Sequence, residues 1–381
     1  VRGDSHITAA FINSRRLGSY HFGPEHPFKP ERMVEVYKMC EARGLFKDPA
    51  VRVVDVEEAI EGILERFHTP EYINVLRKAD SGTKVDLDML HYGIGSAENP
   101  IFKGVFEFAE LSATASLTAA RLVACGAESA FNPCGGFHHA HPDRASGFCY
   151  VNDVVIAIDE LKKNGLKVAY VDIDAHHGDA VQEAYFSDPS VLTISAHETG
   201  KTLFPWGGFE TEIGEGKGGG FNINIPLEPG SDDDVFLLLF REIVMEALGI
   251  FNPDVIVGQF GTDMLVSDPL THLRLTNNGY IEAIEMLHDT FPRIVAFGGG
   301  GYSMNDIVRC WTLLWVEISG QELDEGYGGA LGGVFLGDAD VHGSDLRDMR
   351  SYTSGPEKER LLNESHRLIS YFQKEIRPLL E

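Results

Sequence analysis

The chain has 381 residues, with 32 Lys and Arg against 58 Asp and Glu, a formal charge of −26 at pH 7. So acidic a protein is a poor match for a phosphate backbone or an anionic membrane surface, so neither nucleic acid nor membrane is expected as a partner. Its 43% hydrophobic and 24% charged fractions support a large core and exclude wholesale disorder.

Short β-branched runs alternate with helical stretches. In chain order the sequence predicts a strand at His6–Phe11, a helix at Val105–Cys125, a strand at Ala130–Asn132 and a helix at Val151–Asn164. A strand at Val168–Asp172, a helix at Asp179–Phe186 and strands at Val191–Ser195 and Phe221–Ile225 follow. The remainder reads as helix Asp232–Gly249, strand Asp254–Phe260, helix Gly279–Phe291, strand Arg293–Phe297 and helices Asp306–Ser319 and Glu357–Ile376. This alternation predicts a single α/β domain over residues 1–381: a mostly parallel central sheet covered by helices on both faces. Ser231-Asp-Asp-Asp234 reads as a helix N-cap with acids in the first turn. The glycine-rich stretches Gly207–Gly220 and Gly326–Gly343 read as loops. Cys40, Cys125, Cys134, Cys149 and Cys310 form no CxxC pair, and Val1–Tyr20 has no signal-like apolar run; a cytoplasmic protein with reduced thiols is expected.

Four strand ends carry the chemistry. Ala130 leads into Asn132-Pro-Cys-Gly-Gly-Phe-His-His-Ala-His141, and Val168 into Asp172-Ile-Asp-Ala-His-His-Gly-Asp179. Val255 leads into Gly261-Thr-Asp263, and Ile294 into Gly298-Gly-Gly-Gly-Tyr302. In an open parallel sheet the ligand crevice lies outside the carboxyl ends of the strands. Alternate residues of an extended segment face one side, so Asp174 and His176 can offer an oxygen and a nitrogen to one ion, with Asp263 as a third ligand. Three protein ligands with an open position is a catalytic pattern; Zn²⁺ is the first choice, with Fe²⁺ or Co²⁺ as substitutes. His138 and His139 would move protons for a metal-activated water, with Asp172 and Asp179 available to orient the rings. Tyr302, delivered by the glycine run, could hold an oxyanion opposite the metal.

These segments resemble the histone deacetylase family of the arginase–deacetylase superfamily. The matching blocks are GGFHHAHPDRASGFCYVND (Gly135–Asp153), YVDIDAHHGDAVQEAY (Tyr170–Tyr185), GEGKGGGFNINIP (Gly214–Pro226), GTDMLVSDPL (Gly261–Leu270) and FGGGGY (Phe297–Tyr302). Bacterial class-I-like members, including acetoin-utilisation proteins, are the most similar. The resemblance implies an amidohydrolase acting on acetyl-lysine proteins or peptides, or on an acetylated small amine. It implies Zn²⁺ on Asp174, His176 and Asp263, His139 as the main general base and acid, and His138 as its electrostatic partner. Asp172 would stand behind His138 and Asp179 behind His139, with Tyr302 at the oxyanion. Phe148 and Phe204 would wall an acyl-lysine tunnel with Gly147 and Gly300, and Leu270 would sit at its rim. Glu98 would grip substrate backbone, and Arg32 would lie near an internal exit channel. The resemblance further implies K⁺ or Na⁺ at Asp172, Asp174, His176, Ser195 and Ala196, and again at Tyr185, Asp188, Val191 and Phe221. Phe137 stands where many relatives have Trp. Cys149 reads as a small buried hydrophobe.

Three alternatives compete. A binuclear-manganese ureohydrolase needs carboxylates at positions held here by Gly178 and Leu265. A non-catalytic acyl-lysine binder is disfavoured because every catalytic position is filled. An acetylpolyamine amidohydrolase would be expected to carry an acid near the tunnel mouth, where Leu270 offers no charge.

Overall fold

The computed structural model describes residues 7–81, 84–323 and 346–381. Eight strands form one sheet: β1 (Ala9–Asn13), β2 (Val51–Asp55), β3 (Ser129–Asn132), β4 (Val168–Asp172), β5 (Val191–Glu198), β6 (Asn222–Leu227), β7 (Val255–Gln259) and β8 (Ile294–Phe297). Their order is β2-β1-β3-β8-β7-β4-β5-β6, and every pairing is parallel. Consecutive strand residues enter opposite cores: Ile256 and Ile294 belong to one apolar cluster, Val257 and Val295 to the other. The single α/β domain expected from the alternation is thus what these residues build.

The seven predicted strands all form, with boundaries shifted by a few residues. The first is displaced towards Asn13, and His6 lies outside the described residues, as does the predicted loop 326–343. Edge strand β2 was not anticipated: only half-buried, it lacks the apolar run of its inner neighbours. Helices α1 (Arg32–Ala42), α2 (Pro70–Ala79) and α3 (Leu87–His91) were also not anticipated. Helix α2 carries strong local determinants, a Thr69 side chain capping the Tyr72 amide and Pro70 in the first turn.

Helices α4 (Val105–Ala124), α5 (Asp153–Lys163) and α6 (Asp179–Tyr185) agree with expectation within two residues at each end. The predicted 232–249 helix is interrupted by a π-helical stretch at Phe240–Met245, between α7 (Asp233–Leu239) and α8 (Glu246–Phe251). Asp232 is its N-cap, accepting from the Val235 amide. Helices α9 (Asn277–Thr290), α10 (Met304–Ile318) and α11 (Gly355–Tyr371) complete the layers. Helix α11 buries Leu361 and Leu368, and Lys358 reaches back to Asp232 at 2.6 Å. No helix among the described residues is long and apolar enough to cross a membrane.

Candidate active site

The sheet order brings the four chemistry-bearing ends together. Strands β3, β8, β7 and β4 are adjacent, and their register aligns Asn132 with Phe297, Phe297 with Gln259, and Gln259 with Asp172. The turns leaving this row therefore share one crevice at the carboxyl edge.

Backbone amides fix the histidine turn. The buried Asp153 carboxylate accepts from Gly136 N at 3.0 Å and Phe137 N at 2.7 Å, and from the Ser116 hydroxyl. Gln259 Nε2 donates to Gly136 O at 2.8 Å. These bonds aim His138 and His139 into the crevice. Asp153 and Gln259 were not singled out from sequence, because their work is done on main-chain groups that carry no side-chain signature.

Asp174, His176 and Asp263 are buried, with one candidate ligand atom from each lying within 4.8 Å of the others. His176 Nδ1 lies 3.2 Å from Asp174 Oδ1 and 2.9 Å from Asp263 Oδ2. Burial opposes ionisation of both carboxylates. At Asp174 the His138 and His176 charges outweigh it and lower the pKa, whereas Asp263, facing Asp174, is raised. His176 is their only ion-pair partner among the described residues, so two buried carboxylates share one imidazole. A divalent cation suits this donor set and would complete the charge balance. Gly300 presses close: a Cβ there would lie 2.1 Å from Asp263 Oδ2. At Gly178 a Cβ would lie 2.6 Å from Asp172 Oδ2, leaving no room for a second-metal carboxylate, and Leu265 is a buried apolar residue.

Each tandem histidine has its own carboxylate. His138 Nδ1 donates to Asp172 Oδ2 at 2.9 Å, and that oxygen also accepts from the Tyr170 hydroxyl at 2.6 Å. His139 Nδ1 donates to Asp179 Oδ1 at 2.8 Å. The Nδ1 bonds leave both Nε2 atoms free of these carboxylates. The rings are 4.0 Å apart at their centroids. Burial disfavours charge on both, but Asp172 and Asp174 overcome it at His138, whose pKa rises to about 9. At His139 burial and the neighbouring His138 prevail, lowering it to about 4. Within the pair, charge is therefore favoured on His138 and disfavoured on His139.

Tyr302 faces His176 and Phe148, at ring distances of 6.3 and 5.9 Å. Its loop is held from two directions. Buried Arg32 donates to Gly301 O at 3.2 Å and Gly299 O at 2.5 Å, packed against the rings of Phe28 and Trp311. Asp268 Oδ2 accepts from Tyr302 N at 2.9 Å. Burial and Asp263 raise the Asp268 pKa. Asp268 lay within a quoted motif but received no role from the sequence.

Phe148, with φ +67°, follows Gly147, where a Cβ would lie 2.3 Å from the His139 ring. Phe204 packs on His139 from another direction, 5.0 Å between centroids. A cavity runs from Phe148, His139 and Tyr302 down to Arg32, with Phe137 and Cys149 also in its wall. Leu270 is 37% exposed, its amide held by Asp268. Glu98 Oε1 accepts from Gly147 N at 2.8 Å, so it braces the turn carrying Phe148.

The residues implied for monovalent cations also cluster. Ser195 and Ala196 lie on β5 beside Asp172, with Ser195 Oγ 2.8 Å from His197 Nδ1. In the second set, Asp188 pairs with Lys162 at 2.6 Å, and the Phe221 carbonyl accepts from Thr193 N at 2.9 Å. The Tyr185 hydroxyl donates to Asp159 Oδ1 at 3.0 Å, and Val191 opens β5.

The histone deacetylase domain family matches residues 26–318. The chain belongs to the histone deacetylase family. It is 39% identical over 327 residues to the acetoin utilization protein AcuC of Bacillus subtilis, covering 84% of each chain. It is 36% identical over 299 residues to human histone deacetylase 1, covering 78% of this chain and 61% of that one. The crystal structure of a histone deacetylase homologue from Aquifex aeolicus superposes with a TM-score of 0.81 at 33% identity, covering 94% and 99% of the two chains. A second solved structure, a homologue complexed with SAHA, has the same TM-score at 32% identity, covering 95% and 100%. The family carries deacetylase-type hydrolase chemistry.

Proposed function

We propose that this protein is a zinc-dependent amidohydrolase that removes acetyl groups from acetyl-lysine side chains, with residues 1–381 forming one catalytic unit. The observation that carries the reading is the convergence of two His–Asp pairs on the Asp174–His176–Asp263 cluster, beneath Phe148 and Phe204. Asp174, His176 and Asp263 would hold the metal, which supplies Lewis acidity for the amide carbonyl and for water.

The protein's own groups do the rest. Phe148 and Phe204 form apolar walls suited to the aliphatic stem of an acylated lysine, and exclude water around it. His139 Nε2 accepts the proton of the attacking water, then returns it to the departing amine, so the amide and water become acetate and a free amine. Asp179 fixes the ring orientation and steadies the charge on His139 in between. His138, held protonated by Asp172, favours negative charge at the carbonyl oxygen. The Tyr302 hydroxyl donates to that oxygen as its charge grows.

Leu270 brings no charge to the rim, which supports protein or peptide substrates over acetylated polyamines. Monovalent cations at the Asp172, Asp174, His176, Ser195, Ala196 set and at the Tyr185, Asp188, Val191, Phe221 set belong to the same reading. So does a cytoplasmic location, which the five unpaired cysteines support.

The deciding experiment compares an acetyl-lysine peptide with acetylspermidine, alongside metal analysis and hydroxamate inhibition. Peptide turnover with one zinc per chain is expected. Faster turnover of acetylspermidine would overturn the substrate, and two transition metals per chain would overturn the mechanism.

A further inference from the structure

A third histidine, His141, lies beyond the tandem pair and has no part in the chemistry above. Its side chain is nearly buried, and both ring nitrogens face carboxylates. Nε2 lies 3.4 Å from Asp179 Oδ2, and Nδ1 bonds Glu183 Oε2 one turn further along α6. A neutral imidazole has a single N–H and can satisfy only one acceptor; two carboxylate partners call for the doubly protonated ring. Both Asp179 oxygens are thereby engaged: Oδ1 accepts from His139 Nδ1 and from Ala180 N at 2.9 Å, while Oδ2 faces His141.

We propose that His141 is a positioning residue, a cationic bracket between Asp179 and Glu183 that locks the Asp179 carboxylate against His139. The inference rests on the reading of His139 as the acid–base group. Without the bracket, the partly exposed Asp179 carboxylate would lose the protein partner of Oδ2 and could rotate about its terminal bond, taking Oδ1 off the His139 ring. The charged groups facing His141 are Asp179 and Glu183 from α6 and Arg144 from its own turn; His139 lies across Asp179. Burial and Arg144 oppose its charge, but the two carboxylates prevail and its pKa is raised. The bracket is in place below that pKa and is lost as pH rises through it. Glu183, largely exposed, gives the assembly an outlet to solvent.

The test uses the zinc-loaded enzyme with histidine labelled at Cε1, the His141 resonance being assigned by its loss in His141→Gln. The His141 titration is followed by NMR, and kcat and KM for an acetyl-lysine peptide are measured against pH. His141 is expected to titrate above 6.5, and the midpoint to fall in Glu183→Gln. His141→Gln should lower kcat at neutral pH by about tenfold, the low end for an outer hydrogen-bond partner, with KM little changed. His141→Lys keeps a cation of higher pKa. It should restore most of kcat and move the alkaline fall in activity upward, which a merely space-filling role would not do. If the Gln variant does not fold, the Lys variant decides alone. A midpoint below 6.5, an unchanged kcat in His141→Gln, or an alkaline limb unmoved in His141→Lys would each overturn the bracket. A wild-type enzyme that turns over no acetylated peptide would instead defeat the functional reading, while the NMR titration would still report on His141.

Discussion

Asp268 ties Tyr302 to Leu270: one carboxylate oxygen accepts the Tyr302 amide at 2.9 Å, the other the Leu270 amide at 2.9 Å. The phenol depends on a strand-end loop rich in glycine, which has little stiffness of its own. Arg32 supplies stiffness at the Gly299 and Gly301 carbonyls, and Asp268 at the adjoining Tyr302 amide. Tyr302→Phe should lower kcat by about a hundredfold to a thousandfold, the loss of one oxyanion donor. Asp268→Ala should lower kcat through the same phenol, so the double variant should be little worse than Tyr302→Phe alone. Additive losses in kcat would show that Asp268 acts elsewhere.

Gly300 leaves room for the Asp174–His176–Asp263 cluster by its lack of a side chain. A Cβ there would meet Asp263 Oδ2 at 2.1 Å and Asp174 Oδ2 at 2.9 Å, both on candidate ligands. Gly300→Ala must displace one carboxylate, so the purified variant should contain substoichiometric zinc. Chelation of the wild type should lower its melting temperature, because bound metal stabilises the native state by mass action, and zinc should restore it. Full zinc occupancy in Gly300→Ala, or a melting temperature indifferent to chelation, would argue against this ligand set.

The legible part of this site was the part written in side chains at strand ends. Parallel strands buried on both faces give continuous apolar runs, so their ends are easy to find, and Asp174, His176, Asp263 and Tyr302 stand just beyond them. What sequence spacing does not show is which backbone amide a distant carboxylate will accept. Asp153 on Gly136 and Phe137, and Asp268 on Tyr302, are of that kind. Arg32 contacts a carbonyl 269 residues away, from a helix that was not anticipated although Met33, Val36 and Cys40 mark its buried face. Glu98 is a further case: its Oε1 accepts from Gly147 N, a backbone contact that no motif spacing signals.

Acid should destabilise the fold through histidines held neutral in the core. Burial lowers His68 and His197 from 6.5 to about 4. The unfolded chain binds protons at these sites first, so their contribution is complete above pH 6.5 and is lost as pH falls towards about 4. The loss is about 1.4 kcal/mol per pH unit for each such histidine within that window. His68→Phe removes one titration but leaves the Asn152 amide, now bonded to His68 Nε2 at 3.0 Å, without its acceptor. It should be less stable at pH 7 and show a shallower decline between pH 6.5 and 4 in urea unfolding. A parallel decline in both proteins would mean that His68 is not neutral in the native state.

Trp206 carries strain that glycine would relieve. It holds φ +67°, a conformation costly for a bulky residue, two positions after Phe204, which packs on His139. It is 63% exposed, so little burial repays that cost. Trp206→Gly should therefore leave stability unchanged or raise it by about 1 kcal/mol, the reverse of a typical aromatic-to-glycine change. Such strain persists where the side chain serves a function, and the position beside Phe204 makes substrate contact outside the tunnel the natural one. Among the described residues Trp206 makes no hydrogen bond or ring contact with the groups proposed as catalytic, so the variant should raise KM for an acetyl-lysine peptide while kcat stays near the wild-type value. A fall in melting temperature would show that Trp206 is a packing residue, and a fall in kcat at constant KM would place it in the chemistry.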